Sequence, residues 1–240
     1  MTEPLFRDAY LRKATGTVIA VTEEGGLVLD RTIFYPTSGG QPGDCGRVTW
    51  ADGVLDVVAT VKGDADTIVL VGAQGAQLPA VGSVVDQQLN WENRFGYMRV
   101  HTALHLLSVV IPLPVTGGAV SQSKGRLDFD MVDPPSDKDA LSIELNHLIS
   151  RDLAVSESWI SEAALDANPG LVKTLSVQPP RGTGRIRLVR IGDDVDQVDL
   201  QPCGGTHVAH TGEIGQVRIG KIEKKGAQNR RVYVHLVEDA

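Results

Sequence analysis

Two stretches, His101-Thr102-Ala103-Leu104-His105 and Cys203-Gly204-Gly205-Thr206-His207, decide how this chain is read. In the first, the imidazoles stand at i and i+4, so on a helix they leave one face about one turn apart. In the second, Gly204-Gly205 suits a tight turn that points a thiolate and an imidazole the same way. Three imidazoles and one thiolate form a borderline-soft donor set that fits Zn2+ better than Mg2+ or Ca2+. Taken alone, each half has a plainer explanation. A histidine pair can pack on an apolar helix, and a cysteine beside glycines is often a small buried hydrophobe. Two such pairs in a chain with only six His and two Cys point instead to one zinc site, with His101, His105, Cys203 and His207 as ligands.

The surroundings of the first pair predict a helix. Asn90 suits an N-cap, Glu92 falls in the first turn, and Val100, Leu104, Leu107 and Ile111 recur at helical spacing. Pro112 and Pro114 end the run, Gly96 is expected to kink it, and the histidines fall beside the apolar stripe. Upstream, residues 1–90 read as short β-branched strands at 17–21, 27–29, 54–61 and 68–71, with at most one turn near Ala9 to Lys13. Gly25-Gly26, Asp52-Gly53 and Gly63-Asp64 punctuate them, which predicts a small barrel or sandwich. Downstream, strands are expected at 115–120, 126–130, 154–160 and 185–191, with a closing hairpin of 216–222 and 231–237 around Lys224-Lys225-Gly226. A helix is expected from a near capping box at Ser136 to about Leu153, with Leu141, Leu145 and Leu148 buried, and a short one over 161–167. The fold class is therefore α+β: a small N-terminal β-barrel domain over 1–90, then an α+β domain over 91–240 carrying the zinc site. No Rossmann rhythm is present, so no dinucleotide cofactor is expected.

Composition narrows the classes. With 42% hydrophobic residues the chain has material for real cores, and with 5% aromatics those cores are aliphatic. If Cys203 is a ligand, Cys45 is left unpaired, which suits a reducing, cytoplasmic setting. Met1-Thr2-Glu3-Pro4 has neither a basic nor an apolar leader, and no run of ~18 apolar residues predicts a membrane span. The net charge of −7 counts against binding nucleic acid by bulk electrostatics, so any RNA contact must come from a local basic patch.

The two donor pairs, in this order and separation, resemble the editing domain of alanyl-tRNA synthetases, and most closely the free-standing AlaX-type trans-editing proteins. Phe34-Tyr35-Pro36-Thr37-Ser38-Gly39-Gly40-Gln41-Pro42-Gly43-Asp44 and Thr211-Gly212-Glu213-Ile214-Gly215 agree with it, so the likeness runs from about residue 30 to 235. It implies a zinc-dependent deacylase that hydrolyses the ester of serine or glycine on tRNA-Ala. It places Thr116 where the family senses the serine hydroxyl, with Gln122 as a second polar candidate for that pocket. It also implies RNA contact, for which the sequence itself offers as candidates the loop of Gly39, Gly40 and Gln41 and the basic residues Lys221, Lys224, Lys225, Arg230 and Arg231, with Arg181, Arg185, Arg187 and Arg190 as a second group. Each has a plainer counterpart: a strand residue at 116, a turn joining two domains at 39–41, a strand edge blunted by lysines near the end. His147 and His235 are expected to be structural or solvated, and His210 lies near the site.

A closed tetrahedron of one cysteine and three histidines is structural by default, because catalytic zinc keeps a position open. Either the metal expands to five ligands, or His207 binds loosely, or the zinc only orients a substrate. Two alternatives accompany the deacylase: a hydrolase of another mischarged tRNA such as Ser-tRNA-Thr, and a structural-zinc RNA-binding module without turnover.

Overall fold

The structure, a computed structural model, describes residues 1–175 and 184–237. The chain divides into two units, Met1–Phe95 and Gly96–Ala240. In the first, β1 (Glu3–Pro4) pairs in parallel with β4 (Arg31–Thr32). The strands β2 (Lys13–Val21), β3 (Leu27–Leu29), β5 (Gly46–Trp50), β6 (Gly53–Lys62), β7 (Ile68–Gly72) and β8 (Val84–Leu89) close into a barrel in the order β2-β3-β7-β6-β5-β8. Every barrel pair is antiparallel, and closure removes the open edges that invite association. Alternation directs Val85, Gln87 and Leu89 of β8 inward, where Leu27, Leu29, Phe34, Val48, Leu55 and Leu70 fill the core. Each such aliphatic side chain contributes roughly 1.5–3 kcal/mol by leaving water. The inward Gln87 is satisfied: its Oε1 accepts from Thr32 Oγ1 at 2.7 Å and its Nε2 donates to Arg31 O at 3.1 Å. β5 and β8 were not among the strands expected, because Arg47, Asp86, Gln87 and Gln88 interrupt the apolar run that the eye follows.

The Gly39-Gly40 pair turns the chain back on itself. Both residues take positive φ, +58° and +83°, while Ser38 and Gln41 exchange backbone hydrogen bonds at 3.1 and 2.9 Å. That is a two-residue primed turn, whose backbone only glycine and a few polar residues adopt cheaply. Below it, fully buried Arg94 grips Asp44, and its guanidinium also reaches Ile33 O at 2.8 Å and Ala9 O at 3.0 Å.

The helix α1 (Trp91–Val110) begins where expected, with Asn90 Oδ1 accepting from Asn93 N at 3.2 Å, and its part from Gly96 onward opens the second unit. Then follow β9 (Val115–Val120), β10 (Lys124–Asp130), α2 (Lys138–Ser150), β11 (Val155–Ser161), α3 (Glu162–Asp166), β12 (Arg185–Gly192), β13 (Gln197–Pro202), β14 (Val217–Lys224) and β15 (Asn229–Leu236). They make a four-stranded sheet, β14-β15-β10-β9, and a three-stranded sheet, β11-β12-β13. The β12–β13 register shifts between Ile191 and Gly192, a bulge that sets which residues of β13 point inward.

Three expectations need correction. α1 runs unbroken through Gly96, which serves close approach: a Cβ there would lie 2.5 Å from Gln122 O. Gly125 does the same from the sheet side, 2.6 Å from Val100 Cγ1. The histidines do not sit at the margin of a stripe, because every residue from His101 to Ser108 is buried. With the sheet on one side and the Cys203–His207 segment on another, this stretch of helix has no solvent face. Finally, Asp137 rather than Ser136 caps α2, accepting from Asp139 N and Ala140 N, and the helix ends at Ser150 with Leu145 and Ile149 as its buried residues. Among the described residues, no helix is long and apolar enough to cross a membrane.

Across β10 and β15, Asp128 accepts from Arg231 Nε and Nη2 at 2.7 and 2.9 Å and from Arg126 Nη1 at 2.6 Å. Burial works against its charge, but Arg231 and then Arg126 outweigh it and hold the carboxyl below its usual pKa. A depressed folded pKa stabilises the fold above the unfolded value of ~3.9, and that contribution is lost as pH falls through the folded value. Asp128→Asn is therefore expected to cost roughly 1–3 kcal/mol at pH 7. Urea denaturation of both proteins checks this, and the difference should shrink below about pH 4.

Candidate metal centre

α1 supplies His101 and His105, and the chain leaving β13 supplies Cys203 and His207. Ligand atoms from all four lie within 4.8 Å of one another, and the three histidines are buried. Cys203 Sγ stands 3.5 Å from His101 Nε2 and 3.3 Å from His207 Nε2. The imidazole centroids are 4.4 to 5.4 Å apart. This group could hold a metal ion.

The segment carrying Cys203 is held by its own backbone. Arg187 Nη1, from β12, donates to Cys203 O at 3.0 Å and Gly205 O at 2.9 Å, while its Nε pairs with Glu157. Gly205 N donates to Cys203 Sγ at 3.4 Å, a contact suited to a thiolate. A Cβ on Gly204 would meet nothing within 4 Å, so crowding is not what places a glycine there.

Behind the donors lies a polar layer that the spacing argument did not anticipate. His105 Nδ1 meets Asp199 Oδ2 at 2.9 Å. Lys173 Nζ donates to Asp199 Oδ1 at 2.6 Å, and Gln201 Nε2 donates to Asp199 Oδ2 at 2.7 Å. Thr102 Oγ1 stands 3.1 Å from His207 Nδ1. A signal for half of this layer was present: Asp199 and Gln201 stand two apart and so face one way on a strand, in step with Cys203 just beyond its end. Thr102 gave none, since a threonine in a helix has many roles.

The electrostatics follow from burial opposed by close partners. Burial works against a charged His105, but hydrogen bonds to Asp199 and Cys203 outweigh it and raise its pKa to about 9. Burial and the neighbouring His101 together lower His207 to about 3. Burial also opposes the Cys203 thiolate, yet His101 and His207 hold its pKa well below the usual thiol value. Asp199, despite its burial, is kept at about 2 by His105 and Lys173. The group thus concentrates one thiolate among three imidazoles, with an ionised carboxylate behind them.

A family model described as the threonyl and alanyl tRNA synthetase second additional domain matches residues 186–233, which include Cys203 and His207. A second, for class II (A) tRNA synthetases, matches residues 9–93. The alanyl-tRNA editing protein AlaX-M of Methanosarcina mazei is 35% identical over 251 residues, covering 100% of this chain and 98% of that protein. The chain belongs to the AlaX family of alanyl-tRNA editing proteins. AlaX-L of Pyrococcus horikoshii is 32% identical over 95% of the chain, which spans 56% of that longer relative. An alanine–tRNA ligase of Pyrobaculum calidifontis is 33% identical over 92% of the chain, a quarter (25%) of its own length. AlaX membership agrees with the resemblance drawn from the donor pairs.

The remaining candidates fall in several places. Thr116 on β9 donates to Asp128 O at 3.1 Å and accepts from Asn229 Nδ2 at 2.6 Å. Gln122 is exposed in the β9–β10 turn. Among the described residues, neither is hydrogen-bonded to the four donors. Thr116 is nonetheless tied to them indirectly, because its neighbour Val115 donates its N–H to Lys173 O at 2.9 Å, and Lys173 pairs with Asp199. Lys224 and Lys225 are exposed at the β14–β15 hairpin, with Lys225 Nζ 3.1 Å from Glu223 and Lys221 Nζ 2.7 Å from the same carboxylate. Arg230 is buried, its Nη1 on Gly226 O at 3.1 Å and its Nη2 on Val132 O, and Arg231 is bound to Asp128. Gly39 and Gly40 form the primed turn, and Gln41 beside them is buried. Arg185 starts β12, Arg190 pairs with Asp194, and Arg181 lies outside the described residues. His147 and His210 are exposed, and His235 is half-buried on β15.

If the four residues bind one ion, removing any of them leaves three donors around it. His101→Ala and Cys203→Ser are each expected to lose stoichiometric metal after dialysis against a mild chelator, while the wild-type chain retains one equivalent. Elemental analysis of the dialysed proteins checks this.

Proposed function

We propose that this chain is a zinc-dependent trans-editing hydrolase that deacylates mischarged tRNA-Ala, with Ser-tRNA-Ala as the leading substrate and Gly-tRNA-Ala as the second. One observation carries the reading: a group of three buried histidines and one half-buried cysteine in a chain related over its full length to an alanyl-tRNA editing protein. The donor chemistry fits zinc. Bonds of ~2.0 Å to nitrogen and ~2.3 Å to sulfur, at tetrahedral angles, separate the ligand atoms by roughly 3.3–3.5 Å. The upper figure is the nitrogen–sulfur value, and the two thiol–imidazole separations, 3.5 and 3.3 Å, lie within about 0.2 Å of it.

When bound, zinc supplies a Lewis-acid charge beside the ester carbonyl. The chain's own residues do the rest. Arg187 and the Gly205 N–H fix the Cys203 turn, Asp199 and Thr102 brace two imidazoles, and burial of the three imidazoles limits the access of bulk water to them. Selection for serine over alanine is assigned to a polar group that its hydroxyl satisfies and alanine leaves unpaired, a difference that can reach ~10^4-fold. Thr116 is the candidate: its hydrogen goes to Asp128 O, one lone pair takes Asn229, and one lone pair remains to accept a substrate hydroxyl. RNA contact is assigned to the exposed Lys224 and Lys225, with Arg230 and Arg231 shaping their hairpin, and to the Gly39-Gly40-Gln41 turn.

The presence of four protein donors favours one alternative, a metal that only ties α1 to the Cys203–His207 segment. The family model shared with threonyl-tRNA synthetase favours another, action on Ser-tRNA-Thr. Purified protein is tested on Ser-tRNA-Ala, Gly-tRNA-Ala, Ala-tRNA-Ala and Ser-tRNA-Thr, with and without chelator. The expected result is release of serine from tRNA-Ala, sparing of Ala-tRNA-Ala, loss with chelator and recovery on adding zinc. Binding without release selects the structural module, and activity on the threonine tRNA alone selects the other hydrolase. Thr116→Val should reduce the serine preference about tenfold with zinc retained, the worth of one hydrogen bond. Replacing Lys224 and Lys225 with Glu should weaken tRNA binding and flatten its salt dependence by about one to two units of slope, with zinc content unchanged.

A further inference from the structure

An imidazole offers a cation only the nitrogen that carries no hydrogen, so the tautomer of each histidine decides whether the donor group works. Hydrogen-bond accounting around two of the three histidines fixes that tautomer. Thr102 has one hydroxyl hydrogen, and Oγ1 donates it to Met98 O, the carbonyl one turn back on α1, at 2.9 Å. Val208 N donates to the same oxygen at 3.3 Å. With the hydroxyl hydrogen placed on Met98 O, the remaining contact, His207 Nδ1 at 3.1 Å, is favourable when Nδ1 is the donor. This hydroxyl is fully buried, so water cannot substitute for a wrong choice.

The same accounting holds for His105. Asp199 accepts Lys173 on Oδ1 and Gln201 on Oδ2, and a carboxylate among such donors has no hydrogen to give. Its Oδ2 contact with His105 Nδ1 at 2.9 Å therefore requires Nδ1–H, and Gln201 Nε2, 3.1 Å from the same nitrogen, directs its two hydrogens to Asp199 Oδ2 and Ser108 Oγ instead. We infer that Thr102 and Asp199 are positioning residues that lock His207 and His105 in the Nδ1–H tautomer, leaving both Nε2 atoms bare toward the cation. The inference rests on the zinc reading above. The two residues come from different elements, α1 and β13, so each imidazole is set by a partner on the element facing it. Lys173, whose backbone also pairs with Val115 beside Thr116, anchors the Asp199 carboxylate in turn.

A purely structural role would make Thr102 and Asp199 fillers of space, and valine at 102 fills nearly the same space. The test measures zinc affinity by chelator competition for the wild-type chain, Thr102→Val, Thr102→Ser, Asp199→Ala and Asp199→Asn. It also records the 15N imidazole spectrum of the zinc-loaded wild-type chain, which reports the tautomers without any mutation. The expected spectrum shows hydrogen on Nδ1 of both His105 and His207. Thr102→Val and Asp199→Ala should each weaken zinc binding by roughly 10–100-fold. Thr102→Ser, which keeps the hydroxyl, and Asp199→Asn, which keeps an acceptor oxygen, should recover most of that loss. Wild-type affinity in folded Thr102→Val and Asp199→Ala, or an Nε2–H tautomer in the wild-type spectrum, overturns this inference and leaves the zinc reading intact. A wild-type chain that binds no zinc overturns both. Should a variant fail to fold, the wild-type spectrum alone decides.

Discussion

Four polar donors from two distant stretches of chain converge with their three imidazoles buried and their thiol half-buried, and the second unit is arranged to make that tolerable. Three imidazoles and a thiol sharing one pocket repel or leave lone pairs unmatched unless something positive sits among them, a proton or a cation. The elevated His105 and depressed Cys203 express that demand in protons. Around it, the Arg187 contacts, the Gly205 N–H and the Asp199 carboxylate leave few buried groups unpaired. Among the described residues, the one buried side-chain polar atom without a partner is Asn229 Oδ1, on the far strand β15.

The barrel faces a milder version of the same problem. Its core is aliphatic, yet two charged groups, Arg94 and Asp44, are fully enclosed in the first unit. They are acceptable because Arg94 spends its donors on a carboxylate and on the carbonyls of Ile33 and Ala9. Breaking such a pair costs far more than the pair itself contributes, since the survivor is left charged and dry. The Gly39-Gly40 turn is thus carried on a rigid base, with Asp44 N bonded to Tyr35 O at 2.9 Å behind it.

Much of this was legible in the sequence, and what was not had identifiable causes. The four donors could be read because cysteine and histidine are rare here and their spacing is tied to helix and turn geometry. The helix start at Asn90, the closing hairpin and most strands followed from caps and periodicity. The strands β5, β8 and β13 were missed, since their inward positions include Gln87, Asp199 and Gln201 as well as aliphatics. Polar residues on an inward face mimic a loop when only hydrophobicity is counted. The expected kink at Gly96 failed for a related reason: glycine marks both flexible backbone and close contact, and only the neighbouring chain tells which. Arg230 and Arg231 read as free charge because sequence does not reveal that their partners are the hairpin's own carbonyls and a carboxylate on β10.

The bulge at Ile191/Gly192 has a consequence for what this lineage can change. Because strand side chains alternate with period two, sliding β13 by one position against β12 would send Asp199 and Gln201 outward together, bring Val198 and Leu200 in, and displace Cys203 on the chain that follows. Gly192, with φ +96° and a position where any Cβ would lie 2.1 Å from Asp196 O, pins that alignment at its origin. Lengthening or shortening the acidic Asp193–Asp196 connection by a single residue would thus dismantle the donor group and its bracing in one step, although no residue touching them had been altered.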